Sequence, residues 1–157
     1  MKIYGRRPLT RLEAGIYGAI VAILVTVFAT RMLSYMEAAE RARMEVTVTQ
    51  LMSAASVRRA YGVMRGQAED AASWRKRNPF ELAGFPSPNF SGEIDPLQPK
   101  PLERGWWAFD PVRGELIYLP RLRSGLETSD PDGALRFRVE INGMRYMLVP
   151  TPPYRWQ

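Results

Sequence analysis

Between Ala14 and Thr30 the chain carries seventeen consecutive uncharged residues, AGIYGAIVAILVTVFAT, closed by Arg31. As a helix at about 1.5 Å per residue this run is roughly 26 Å long, close to the ~30 Å hydrocarbon core of a bilayer. Leu9 and Leu12 extend it on the N-terminal side. Lys2, Arg6, Arg7 and Arg11 stand before it with no acid among the first twelve residues, whereas from residue 31 to 45 Arg31, Arg41 and Arg43 are offset by Glu37, Glu40 and Glu45. This asymmetry predicts a cytoplasmic N-terminus and a C-terminal part on the far side. A cleaved secretory signal would have a shorter apolar core followed by a small-x-small site, but Ala29-Thr30-Arg31-Met32 follows Phe28. Arg6-Arg7 also invites a twin-arginine export reading, which Glu13, ahead of the apolar run, fits badly. The expectation is a retained single-pass anchor: a basic arm over 1–8 and a transmembrane helix over 9–31.

Beyond Arg31 helical character continues. Residues 32–73 contain no proline, and Met44, Val48, Leu51, Met52 and Ala55 form an apolar stripe at helical spacing. Glu37, Glu40, Arg41, Arg43 and Glu45 form a strongly charged stretch just outside the membrane segment, and Arg58-Arg59 interrupts any long heptad pattern. An amphipathic extension is expected over 32–75. Over 76–104 six prolines (79, 86, 88, 96, 99 and 101) argue against regular helix and central strand, giving a loop whose Phe80, Leu82, Phe85, Phe90, Ile94 and Leu97 pack inward. From 105 to 157 the pattern turns to strands. GWWAF is followed by the turn Asp-Pro-Val-Arg-Gly and by ELIYL; LRFRVEI alternates strictly before Asn142-Gly143, and Met144 to Val149 returns. The fold class is therefore α+β: one long N-terminal helix on a small antiparallel sheet of about four strands, ending in an extended tail.

The chain has no cysteine and no histidine, which removes thiol chemistry, disulfides, the commonest general base and the commonest zinc ligand. No nucleophile–base pair or phosphate-cradling glycine loop is visible, and an enzyme is not expected. The net charge of +6 comes without a basic stripe suited to a phosphate backbone, so no nucleic-acid partner is expected. Gly15, Gly18, Ala19, Ala22, Thr26 and Ala29 recur at three- and four-residue spacing. Small residues so placed let another helix approach closely, and they are also common in membrane helices generally.

The order of basic leader, membrane helix continuing as an amphipathic helix, loop and sheet resembles the type IV pilins and the type II secretion pseudopilins. The segment Pro8-Leu9-Thr10-Arg11-Leu12-Glu13 lines up with the start that this family shows after its leader. The resemblance makes Pro8 and Leu9 the leader-processing position, with Leu9 first in the mature chain. It makes Glu13 the glutamate that sets register by pairing with a neighbouring subunit's N-terminal amine. Pro8 stands where the family has a small residue, usually glycine, and Arg11 where it has an apolar one. Trp106, Trp107, Asp110, Gly114 and Tyr118 resemble an aromatic hairpin of some minor pilin-like proteins. The implied protein is a minor or atypical subunit of a pilus or secretion-type apparatus in the bacterial inner membrane, its C-terminal domain periplasmic. Its implied partners are other pilin-like subunits or membrane assembly proteins, met through the N-terminal helix in a homo- or hetero-oligomer.

Other candidates are weaker. Glu127, Asp130 and Asp132 could hold calcium, as a C-terminal loop does in major pseudopilins, but Asp-Pro-Asp-Gly is also a routine turn. No other cofactor is expected. The aromatics, with Tyr146, Tyr154 and Trp156, are candidates for stacking on a ligand, although such residues usually fill a small core. Asn89-Phe90-Ser91 matches a glycosylation sequon, a motif that recurs by chance. Two other functions fit the same pattern: a bitopic scaffold or regulator of an envelope complex, and a membrane-tethered carbohydrate- or peptide-binding module.

Overall fold

The computed structural model describes residues 10–67, 69–85, 87–95, 97 and 100–156. Lys2, Arg6, Arg7, Pro8 and Leu9 lie outside them. The chain divides into two compact units, one through Met36 and one from Glu37 onward. Helix α1, Arg11–Met64, contributes to both.

In the first unit every residue from Thr10 to Met36 is exposed, among them Ile20, Val21, Ile23, Leu24, Val25 and Phe28. A contiguous apolar surface of this kind is not stable in water. The helix is long and apolar enough to cross a membrane. Its C-terminal end closes as a Schellman motif: Gly66 takes φ +72°, its N–H donates to the Val63 carbonyl, and the Gln67 N–H donates to the Gly62 carbonyl.

In the second unit the α1 stripe is the core-facing side of the helix. Met44, Val48, Leu51 and Ala55 are buried and Met52 packs at their edge. Short helices α2 (Ala71–Arg75) and α3 (Pro79–Ala83) follow. The expectation that prolines exclude helix from 76–104 fails at α3. Pro79 occupies the first helical position, where its missing N–H would have no helical partner anyway. The Asn78 side chain caps the helix by accepting from the Phe80 N–H at 3.0 Å, and Gly84 ends it at φ +74°.

Seven strands complete the unit: β1 Phe90–Glu93, β2 Trp106–Asp110, β3 Glu115–Leu119, β4 Leu126–Thr128, β5 Leu135–Asn142, β6 Arg145–Pro150 and β7 Tyr154–Trp156. Five form one sheet in the order β1-β2-β3-β5-β6, and β4 pairs with β7 in a second. The four expected strands are β2, β3, β5 and β6, all antiparallel in the two hairpins and their junction. To these β1 is added in parallel to β2, which makes the sheet mixed. The proline-rich segment thus supplies an edge strand, which itself contains no proline. The extended tail is strand β7. Leu135, Phe137 and Val139 of β5 are buried while Arg138 and Glu140 are exposed, as strict alternation demands. They share one core with Trp74, Phe80, Trp107, Phe109, Leu116, Tyr146, Leu148 and Trp156 and with the α1 stripe.

Leu51 is wholly buried at the centre of that stripe. Leu51→Ala should lower the stability of the second unit by about 2–5 kcal/mol through lost burial and a residual cavity. Urea denaturation of the full chain in detergent, followed by near-UV circular dichroism, measures this.

Candidate functional site

At the start of α1, Thr10 and Glu13 form a reciprocal capping box. The Thr10 N–H donates to Glu13 Oε2 at 2.8 Å, its hydroxyl donates to the same oxygen at 3.0 Å, and the Glu13 N–H donates to Thr10 Oγ1 at 3.3 Å. The pattern Thr-x-x-Glu ahead of an apolar run is its sequence signature, and it gives Glu13 a local structural role. One turn further, the small-residue face is open: a Cβ built on Gly15 or Gly18 meets nothing within 4 Å. Gly15, Gly18, Ala19, Ala22 and Thr26 are all exposed, and the Thr26 hydroxyl is satisfied by the Ala22 carbonyl at 2.8 Å. Pro8 and Leu9, the leader-processing candidates, lie outside the described residues.

The charged stretch after the apolar run is partly buried. Glu37 is only 6% exposed and accepts three hydrogen bonds: from the Ser124 hydroxyl, from the Gly125 N–H at 2.8 Å and from the Trp156 indole N–H at 2.9 Å. One turn on, Glu40 accepts from the Tyr118 hydroxyl at 2.8 Å and from the N–H groups of Arg121 and Leu122 at 2.7 and 3.1 Å. Arg41 donates to the Trp156 carbonyl. Two carboxylates on one helix face thus hold the β3–β4 loop and strand β7. Sequence reasoning missed them, yet a signal was present. Carried backward from Met44 by four and seven residues, the apolar stripe lands on Glu40 and Glu37.

Burial opposes ionisation of Glu37. The hydrogen bonds from Ser124, Gly125 and Trp156, with the charge of Arg41, outweigh it and hold the carboxyl below its ordinary value. On Tyr118, burial first, then the hydrogen bond to Glu40 and the charge of Glu40, push the phenol upward, so it remains a donor.

The other candidates resolve as follows. Trp107 and Tyr118 are in cross-strand register in the β2–β3 hairpin, with ring centroids 4.5 Å apart. Both are buried, Trp107 at 2% exposure, so neither is free to stack on a ligand, and Trp106 is half-buried. Asp110 Oδ1 accepts from the Val112 and Arg113 N–H groups across the turn, and Gly114 takes φ +67° against the Arg75 backbone. A Cβ at Gly114 would lie 2.9 Å from the Arg75 carbonyl oxygen, so the glycine serves a close approach as well as the turn.

The calcium candidates Glu127, Asp130 and Asp132 lie on β4 and in the turn after it. Asp130 is buried, caps the turn by accepting from the N–H groups of Asp132 and Ala134, and pairs with Arg136 Nε at 2.6 Å. Asp132 is exposed and lies 3.7 Å from the same guanidinium, while Glu127 is exposed on β4. Among the described residues no group of three acids converges on a possible metal position.

No family model, no curated protein and no solved structure matches the chain.

A carboxyl held below its ordinary value stabilises the fold above its unfolded pKa and loses that contribution as pH falls through the folded one. For Glu37, and for Asp130, whose opposing burial is outweighed by Arg136 and the turn N–H groups, the loss begins below the ordinary values of 4.5 and 3.8. Stability of the second unit should therefore be level near neutrality and fall on acidification below about pH 4.5. Glu37→Gln should cost about 1.5–3 kcal/mol at pH 7 and make the acid limb shallower, which urea midpoints across pH measure.

Proposed function

We propose that the chain is a pilin-like or pseudopilin-like subunit that acts by assembly in a type IV pilus or type II secretion-type apparatus. It would be anchored by one pass through the bacterial inner membrane, its N-terminus cytoplasmic and its second unit periplasmic. The observation that carries this reading is α1 itself. One uninterrupted helix, Arg11–Met64, is exposed and apolar through its first half and packs by a stripe on a sheet domain through its second. Such a helix serves two environments in one element, which is what a subunit needs when its helices bundle side by side and its domain faces outward.

In this reading the open small-residue face from Gly15 to Thr26 packs against neighbouring helices, as close backbone approach in lipid requires. Glu13 sets the axial register. A carboxylate at a membrane-helix start is costly to bury and seeks a partner. A new N-terminal amine on Leu9 of a neighbour would supply one. The β2–β3 aromatic hairpin packs within the domain's core.

One observation favours a second reading, a permanently anchored scaffold of an envelope complex. The Glu13 carboxylate is already occupied by Thr10 of its own chain, so its presence is accounted for without a neighbour. The two readings part on an intact mass of the protein from membranes of its native host. Loss of residues 1–8 is expected for the subunit; a full-length mass supports the scaffold. With the leader removed, Glu13→Ala should reduce helix-to-helix cysteine crosslinking between subunits about tenfold or more while the second unit's urea midpoint stays unchanged. Undiminished crosslinking would remove Glu13 from the assembly mechanism.

A further inference from the structure

Where α1 ends, four arginines and one buried indole line a single cavity. Arg58, Arg59, Arg65 and Arg77 line a cavity of about 310 Å³ together with Trp74 and Glu69. The guanidinium carbons of Arg59 and Arg77 lie 5.3 and 6.0 Å from the Trp74 ring centroid, within cation–π range. The indole is 4% exposed and its N–H has no acceptor among the described residues, an arrangement rare for a buried donor.

The charges of this cavity are not balanced from within. Glu69 pairs with Arg77 at 2.8 Å, and it is the one carboxylate among the lining residues. Arg59 donates to the neutral carbonyls of Gly143 and Glu69, Arg58 to those of Glu81 and Leu82. Arg65 has no ion pair or side-chain hydrogen bond among the described residues. Converging guanidiniums repel one another, and a bidentate oxyanion relieves that repulsion best. Glu69 already demonstrates the fit of a carboxylate here.

A second cavity of about 1010 Å³ adjoins the first and shares Arg58, Tyr61 and Arg65 with it. Its other walls are largely apolar, with Ala54 and Val57 of α1 facing Leu82, Ala83 and Phe85 of the α3 segment. A free inorganic anion would use the arginines and leave this groove empty. A protein segment with apolar side chains beside its acids would use both. We propose that this composite surface docks an acidic, apolar segment of a partner protein, its carboxylate entering the arginine cavity and its apolar side chains lying along the groove. The surface is separate from the helix-bundling face of the subunit reading, and its occupancy does not depend on polymerisation.

The test uses the full chain in phosphatidylcholine nanodiscs at ~0.15 M salt, where unspecific surface attraction is largely screened. The probe is a dye-labelled, end-capped peptide alternating leucine and glutamate pairs, read by fluorescence anisotropy against empty nanodiscs. Saturable binding is expected, at least about tenfold weaker for the same peptide with glutamine in place of glutamate and about tenfold weaker for Arg65→Glu, the size of one lost ion pair of about 1.4 kcal/mol. Arg65→Gln should fall between, and both variants should keep the wild-type circular dichroism because Arg65 holds nothing in the fold. Equal binding of the glutamine peptide, or binding unaffected at Arg65, would overturn the proposal. So would saturable binding of inorganic phosphate with none of the peptide, which would make the cavity a small-anion site.

Discussion

Two carboxylates, one turn apart on α1, hold the loop between β3 and β4 of the second unit. The loop between β3 and β4 has few ladder hydrogen bonds of its own, and its Arg121, Leu122 and Gly125 N–H groups would be left without partners if it lay on an apolar helix. Glu37 and Glu40 accept from all three and from Ser124, Tyr118 and Trp156 besides. Hydrogen bonds to an ionised acceptor are stronger than neutral ones, and leaving such a group buried without donors is costly. The helix and the loop are therefore mutually dependent. At the other end of the stripe Ser56 repeats the device on a smaller scale, accepting from the Tyr146 N–H at 2.9 Å, while Arg59 donates to the Gly143 carbonyl at 2.8 Å. Between these polar ties lies the apolar contact of Met44, Val48, Leu51 and Ala55 with the sheet.

This division of labour explains how one helix belongs to two environments. Apolar burial is non-directional and does not fix how far a helix slides along a sheet. The polar ties at residues 37, 40, 56 and 59 supply that register. The half of α1 before Glu37 has no such ties and no buried residue, and its only specified features are the Thr10–Glu13 cap and a face of small side chains. An element so plain on its surface is suited to packing in lipid against other helices, which is the physical basis of the subunit reading.

The aromatic residues illustrate why residue type alone does not reveal a binding surface. Trp107 and Tyr118 stack on each other under Phe80 and beside Phe137, and their hydrophobic area is spent inside the domain. Trp74, which carried no expectation, lines a cavity. It is placed there by α2, a helix of one and a half turns that follows the Gly66 stop. The arginines lining that cavity come from α1 (Arg58, Arg59), from just beyond it (Arg65) and from just beyond α2 (Arg77), so their convergence depends on that stop.

Periodicity and charge were sufficient for the apolar helix, its amphipathic continuation and the two hairpins, because each is a local pattern whose period matches its backbone: 3.6 for Met44 to Ala55, 2 for Leu135 to Ile141, and Asn142-Gly143 for the turn. The capping of α1 was equally local and legible in Thr10-x-x-Glu13. The rest was decided by tertiary structure. Which carboxylates are buried depends on partners eighty to a hundred and twenty residues away, since Glu37 and Glu40 meet Tyr118, Gly125 and Trp156 only once the helix lies on the sheet. Asp130 is paired by Arg136, six residues on but brought close by the turn. Pro79 ended as a helix start because the first helical position asks nothing of the missing N–H, and β1 lies in a proline-free stretch of the same segment. A charge's meaning depends on what faces it, and the order of residues states only what lies beside it along the chain.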